Sequence, residues 1–315
     1  MTQMKGFALF KYNLCLSNLI SVIRVLKSAA RPKALQTLSF SISIKNLELW
    51  GSKLPPPEGF REALFLPMAK DLFSKQSETY AKYRPTYPRE LFDYILQFVK
   101  QRECAWDCGT GNGQAAVVLA DYFDKLKASD ISEAQISKAV RKANIEYHVC
   151  PAEQTPFADN SFDLITVATA YHWLHWKEFK KEATRVGRTD SVIALWAYNI
   201  FSANDEKINQ LIHHFYYDII YTYWDAERRH VENNYTSVEF DFDPLPSKDF
   251  RTDLNWTKEQ FIGYLQSWSS VQNYIKVNQS SPVDLIEQEL DRVWKKDETK
   301  AIHFPIFLRM GRFIK

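Results

Sequence analysis

Cysteine is scarce in this chain of 315 residues, and of Cys15, Cys104, Cys108 and Cys150 only Cys104 and Cys108 stand close together. No second pair accompanies them, and their spacing spans a strand end, where side chains alternate in direction. The expectation is reduced, buried cysteine and no metal site. His172-x-x-His175 lacks the further ligands and the glutamate of a zincin and is read the same way. Long apolar runs are missing too. Asn13, Ser17, Asn18 and Arg24 interrupt the N-terminal region well short of the ~18 residues that a membrane span requires, so no stable membrane insertion is expected. Repeats and low-complexity tracts are absent.

Acid is missing from one region only. Residues 1–47 hold Lys5, Lys11, Arg24, Lys27, Arg31, Lys33 and Lys45 and no carboxylate. The remaining 33 basic and 38 acidic residues give the body a net charge of −5 within an overall +2. A mildly acidic body is a poor match to a polyanion, so no nucleic-acid partner is expected. In the first segment Leu16, Leu19, Ile20, Ile23 and Leu26 fall on one helical face, with Arg24 and Lys27 beside it. A basic, Ser-rich, amphipathic start is similar to an organelle transit sequence. Pro55-Pro56-Pro57 breaks the chain before Met68, which suggests a dispensable extension over 1–67 and a folded domain over 68–315. A structural or membrane-surface role for the extension stands as a third reading. The expected location is cytoplasmic, with organelle import as the alternative if the extension is a transit sequence.

Against these absences stands one dense signal, Ala105-Trp106-Asp107-Cys108-Gly109-Thr110-Gly111-Asn112-Gly113, followed by the helix-compatible run Gln114 to Ala120. Glycines at alternate positions let a strand turn sharply, admit a ligand against the backbone and start a helix at once. No Lys-Ser/Thr pair follows, which removes the P-loop. The G-x-G-x-G order with an acid in front departs from the dinucleotide arrangement, and that acid would repel a pyrophosphate yet suit an ammonium group. A ligand with such a group is S-adenosylmethionine. Asp130 ends the next strand, Lys127-Ala128-Ser129-Asp130, where a carboxylate can take two ribose hydroxyls or cap the following helix.

The stretch from about 71 to 200 resembles a class I S-adenosylmethionine-dependent methyltransferase. Asp107-x-Gly109-x-Gly111-x-Gly113 resembles that family's first motif and Asp130 its second. Pro151-Ala152-Glu153 and Ser161-Phe162-Asp163-Leu164-Ile165 resemble its third and fourth. The lead from Phe73 to Pro88, with Tyr80 and Tyr83-Arg84-Pro85, is similar to that of small-molecule, trans-aconitate methyltransferase-like proteins.

The resemblance implies a doubly wound α/β fold with a mostly parallel seven-stranded sheet, an antiparallel C-terminal hairpin and a helical insert over about 200–245 that covers the substrate. It implies S-adenosylmethionine as cofactor, a small-molecule acceptor, and cofactor contacts from Tyr80, Arg84, Asp107, Gly109, Gly111, Gly113, Asp130, Ala152 and Glu153. Asp107 is assigned to the neighbourhood of the methionine amino group and Ala152 and Glu153 to the adenine. Glu153 as a surface acid and Arg84 as a solvated cation stand beside those roles. Tyr171 and Trp173, after the fourth strand, are expected to line the acceptor pocket. His172 is either a general base or part of that lining. A cofactor-binding regulatory protein without turnover is the alternative from another class.

The change in charge and composition before residue 70 predicts that a chain beginning at Met68 folds and binds the cofactor as well as the full chain does. Thermal unfolding of the two would check this, and a much lower melting temperature for the shorter chain would make the extension part of the core.

Overall fold

The computed structural model describes residues 83–314. The expectations for the extension, for Met68 and for Tyr80 lie outside the described residues.

Pro88, extended at φ −69° and ψ 146°, leads into helix α1 (Arg89–Leu96), whose Leu91, Phe92, Ile95 and Leu96 all face inward. An alternating series follows: β1 (Cys104–Cys108), α2 (Gln114–Leu119), β2 (Lys125–Asp130), α3 (Glu133–Ile136), β3 (Ile145–Val149), β4 (Phe162–Ala168), α4 (Trp176–Val186) and β5 (Gly187–Tyr198). Strands β1 to β5 are parallel in the order β3-β2-β1-β4-β5. On β5, Val192, Ala194, Trp196 and Tyr198 enter one apolar cluster, and Ile193, Leu195 and Ala197 enter a second. Side chains alternate across a strand, so a run apolar at every position is buried on both faces.

The remainder is β6 (Ser202–Ala203), α5 (Glu206–His213), α6 (Arg228–Glu232), β7 (Asp243–Leu245), β8 (Phe250–Thr257), α7 (Lys258–Gln266), α8 (Ser269–Asn278), α9 (Glu287–Val293) and β9 (Thr299–Arg312). The sheet thus has nine strands among the described residues, not the expected seven. The difference arises from β9. Its second half pairs with β5 and with β7, while its first half pairs with β6 and along the whole of β8. The antiparallel C-terminal pair is therefore β8 and β9, joined through three helices over 258–293 rather than by a tight turn. Thr257 ends β8 and caps α7: its hydroxyl accepts from the Gln260 N–H at 3.3 Å, and the Gln260 side chain accepts from the Thr257 N–H at 2.9 Å. Among the described residues no helix is long and apolar enough to cross a membrane.

At the amino ends of the strands Asp163 ties β4 to β1. One carboxylate oxygen accepts from the Glu103 and Cys104 backbone N–H groups at 2.9 and 3.0 Å, and the other accepts from Arg188 at 2.6 Å. The side chain is buried, so Asp163→Ala should leave those donors unmatched and cost about 2–3 kcal/mol in urea unfolding. Ligand affinity at the opposite, carboxyl ends should not change, and a shift in it would show that the two ends are coupled.

Candidate active site

The site grows from the carboxyl end of β1. Gly109, Gly111 and Gly113 all have positive φ, at 64°, 55° and 86°, which a residue with a Cβ adopts only under strain. Their surroundings differ. A Cβ at Gly109 would lie 2.6 Å from that of Ala170, and one at Gly113 would lie 2.5 Å from the Tyr147 hydroxyl. These two glycines let the loop pack on its neighbours. A Cβ at Gly111 would meet nothing within 4 Å, because this turn of the backbone faces an open cleft.

The loop is tied to β2. The Thr110 N–H donates to the Ser129 carbonyl at 2.9 Å, and the Gly111 N–H donates to Asp130 Oδ2 at 2.9 Å. Asp130 Oδ1 accepts from the Ser132 N–H at 2.9 Å. Helix α3 is capped by Ser132, whose hydroxyl accepts from the Gln135 N–H at 3.3 Å, so the capping role considered for Asp130 belongs to Ser132. Asp130 lines the cleft.

The cleft has a volume of about 380 Å³ and runs along the carboxyl ends of β1 to β4. Ala152 and Glu153 line it beyond β3, and Glu153 Oε1 accepts from the His175 N–H at 2.9 Å. Gln135, not singled out from the sequence, also lines it. Its amide oxygen is buried with no protein partner among the described residues, and only the fold that turns it inward identifies it.

Asp107, expected near the methionine amino group through water or a backbone contact, lies beneath the loop. It is fully buried and does not line the cleft. Its two oxygens accept from the hydroxyls of Thr110 at 2.5 Å and Thr166 at 2.8 Å. It braces the glycine loop from beneath because its position on β1 points into the sheet's packed face.

Beyond β4 the chain turns at Thr169, a β-branched residue at φ 54° whose hydroxyl shares a hydrogen bond with the Tyr87 hydroxyl at 2.9 Å. Thr169 and Trp173 line the cleft and also a second, smaller chamber of about 50 Å³. Arg84 lies in this chamber rather than in the cleft, donating to the Tyr198 hydroxyl at 2.7 Å and the Ser267 carbonyl at 3.2 Å. Tyr198, Tyr216, Tyr264 and Trp268 supply aromatic walls. The cover therefore comes from α7 and the start of α8 as well as from the insert over 200–245.

His172 reaches the chamber from a short 3-10 turn over Tyr171–Trp173. Its Nδ1 shares a hydrogen bond with the Tyr235 hydroxyl at 2.9 Å. Burial first, and then the charges of Arg228, His230 and Arg84, hold its imidazolium form well below the usual histidine range. Tyr171, expected in the acceptor pocket, lines neither space. Its ring packs against Phe179 and Tyr235 and its hydroxyl donates to the Glu239 carbonyl at 2.7 Å, because the 3-10 turn directs it under the sheet.

Residues 106–195 match the methyltransferase domain family. A methyltransferase-family protein of Dictyostelium discoideum is 30% identical over 249 residues, covering 77% of this chain and 95% of that protein. An uncharacterized methyltransferase of Mycobacterium tuberculosis is 28% identical over 138 residues, covering 43% of this chain and 54% of its own length. A type II methyltransferase-family structure from Anaeromyxobacter dehalogenans superposes with a TM-score of 0.68 at 33% identity, covering 74% of this chain and 99% of that one.

Burial pushes the Asp107 carboxyl up to about 6 from an ordinary 3.8, so folding favours its protonated form. That contribution is complete below about pH 4 and is lost as pH rises through 6, and the difference corresponds to ~3 kcal/mol. Asp107→Asn cannot ionise. Its melting temperature relative to the unmodified protein should therefore climb by about 5–10 °C between pH 4 and pH 8. A difference that stays flat over this range would mean that Asp107 ionises in the fold without penalty.

Proposed function

The chain belongs to the class I S-adenosylmethionine-dependent methyltransferases, and from that premise we propose that it methylates a small-molecule acceptor held in the chamber beside the cleft. The observation that carries this reading is the junction: the cleft and a smaller aromatic-walled chamber both reach Thr169 and Trp173. A methyl donor on one side and an acceptor on the other would meet there.

The cleft residues fit the cofactor. Gly111 leaves open space where a ligand must touch the backbone, Gln135 holds a buried acceptor oxygen without a partner among the described residues, and the volume lies within the usual range for such ligands. Asp130 would take the ribose hydroxyls, and Ala152 and Glu153 would lie by the adenine. The methionine end would run along Gly109 to Gly111, with Asp107 acting through Thr110. When bound, the cofactor supplies a methyl group on a positively charged sulfur, open to direct displacement.

What remains for the protein is alignment and exclusion of water. Aromatic side chains wall the chamber, and the hydrogen bond to Tyr235 holds the His172 ring in one orientation. A general base works best with a pKa near the operating pH, and His172 is held well below it. His172 is therefore a positioning group of the acceptor chamber. Trp173 is its apolar wall toward the cleft.

Calorimetry with S-adenosylmethionine and its demethylated product tests the cleft. Both should bind, and Gly111→Val should weaken binding by about 100-fold or more while circular dichroism stays unchanged. A folded Gly111→Val protein with full affinity would overturn the assignment. Turnover is read with labelled cofactor and a panel of small acids, phenols and amines. Cofactor binding with no transfer to any of them would favour a regulatory protein.

A further inference from the structure

Glu227 and Arg228 are consecutive residues where α6 begins, yet they line different spaces: Glu227 reaches the cleft and Arg228 the chamber. Neighbouring Cα atoms are only ~3.8 Å apart, so Glu227 lies at the end of the cleft that adjoins the chamber. Helix α6 packs against the 3-10 turn that carries Trp173, which locates the same end. The other two acids of the cleft are tied to the backbone. Asp130 accepts from the Gly111 and Ser132 N–H groups, and Glu153 accepts from the His175 N–H. Glu227 is half-buried, and among the described residues its carboxylate has no hydrogen-bond or ion-pair partner. No lysine or arginine among them lines the cleft to neutralise it.

We infer that Glu227 faces the positively charged sulfur of the methyl donor and lets the cleft tell the donor from its demethylated product. The inference rests on the methyl-transfer reading above, which puts the sulfur where cleft and chamber adjoin at Thr169 and Trp173. Donor and product share the adenosine, the ammonium and the carboxylate. They differ by one methyl group and by the positive charge at sulfur. Contacts from the glycine loop, Asp130 and Glu153 to the shared parts cannot separate the two, whereas a carboxylate at the sulfur end attracts only the donor. Once the methyl group has left, the sulfur is neutral and that attraction lapses, while the other contacts persist. Glu227 thereby favours exchange of the product for fresh donor. Its neighbour Arg228 does not cancel its charge, because adjacent residues at a helix start do not face each other. Water reaches a half-buried carboxylate, so the discrimination is modest, at about 10-fold.

Binding alone, measured on the full chain, tests this without knowledge of the acceptor. Calorimetry is run with S-adenosylmethionine, with its demethylated product, and with an analogue that carries an ammonium group in place of the methyl sulfonium. Glu227→Gln, which keeps the shape and removes the charge, should weaken S-adenosylmethionine and the ammonium analogue by about 10-fold and leave the product within twofold. Glu227→Asp should recover part of the loss, and circular dichroism should show both variants folded. Added salt should narrow the donor-to-product affinity ratio of the unmodified protein and leave that of Glu227→Gln nearly unchanged. An equal loss for all three ligands would assign Glu227 to the shared ammonium or to the fold and overturn the inference. Unchanged affinity for all three would overturn it as well. If neither S-adenosylmethionine nor its product bound the unmodified protein, the methyl-transfer reading would fail, and the inference with it.

Discussion

The parallel register of β1 between β2 and β4 is the constraint on which the rest of the site depends. Cys108 lies opposite Ser129 on one side and Val167 on the other, so three loops leave the sheet at the same level. The glycine loop can then be bonded to Ser129 and Asp130 while Gly109 rests against Ala170. A shift of one residue in either pairing would turn the side chains to the opposite face and separate Asp130 from the Gly111 N–H. At the far end Asp163 adds two hydrogen bonds between β4 and β1, stabilising a pairing whose register the strands themselves set.

The parts of the site closest to the backbone were the most legible in the sequence. Alternate glycines after a strand have few physical uses, and all three adopt the left-handed conformation that glycine tolerates best. The sequence did not separate their uses, since the packing of Gly109 and Gly113 depends on Ala170 and Tyr147, far along the chain. Asp107 illustrates the same limit. An acid before a glycine turn reads as a ligand contact, but strand alternation points it inward, toward threonines that only the fold brings near.

The chamber was less legible because no local pattern encodes it. Arg84, His172, Tyr198, Arg228 and Tyr264 come from distant segments and converge only after β8 and α7 have packed against β9. In β8 the alternation of Phe250, Thr252, Leu254 and Trp256 with charged and polar residues is the pattern of a half-buried strand, but nothing local tells that it pairs with β9 across three helices. Tyr216, Trp224 and Trp268 form mutual ring contacts while also facing the chamber.

Charge is divided across the shared wall. Asp130, Glu153 and Glu227 line the cleft, and Arg84 and Arg228 line the chamber. Fields of opposite sign on the two sides of Thr169 and Trp173 favour a cation in the first space and an anion in the second. That division accounts for the state of His172, whose protonated form is opposed by burial and by both arginines at once. It also gives Tyr235 a purpose beyond packing. A neutral imidazole can donate from only one of its two nitrogens, and the hydrogen bond at Nδ1 fixes the ring that the chamber presents without adding a charge to it. The two spaces thus differ in polarity as well as in shape where they adjoin at Thr169 and Trp173, and a ligand placed in the wrong one would meet a field that opposes it.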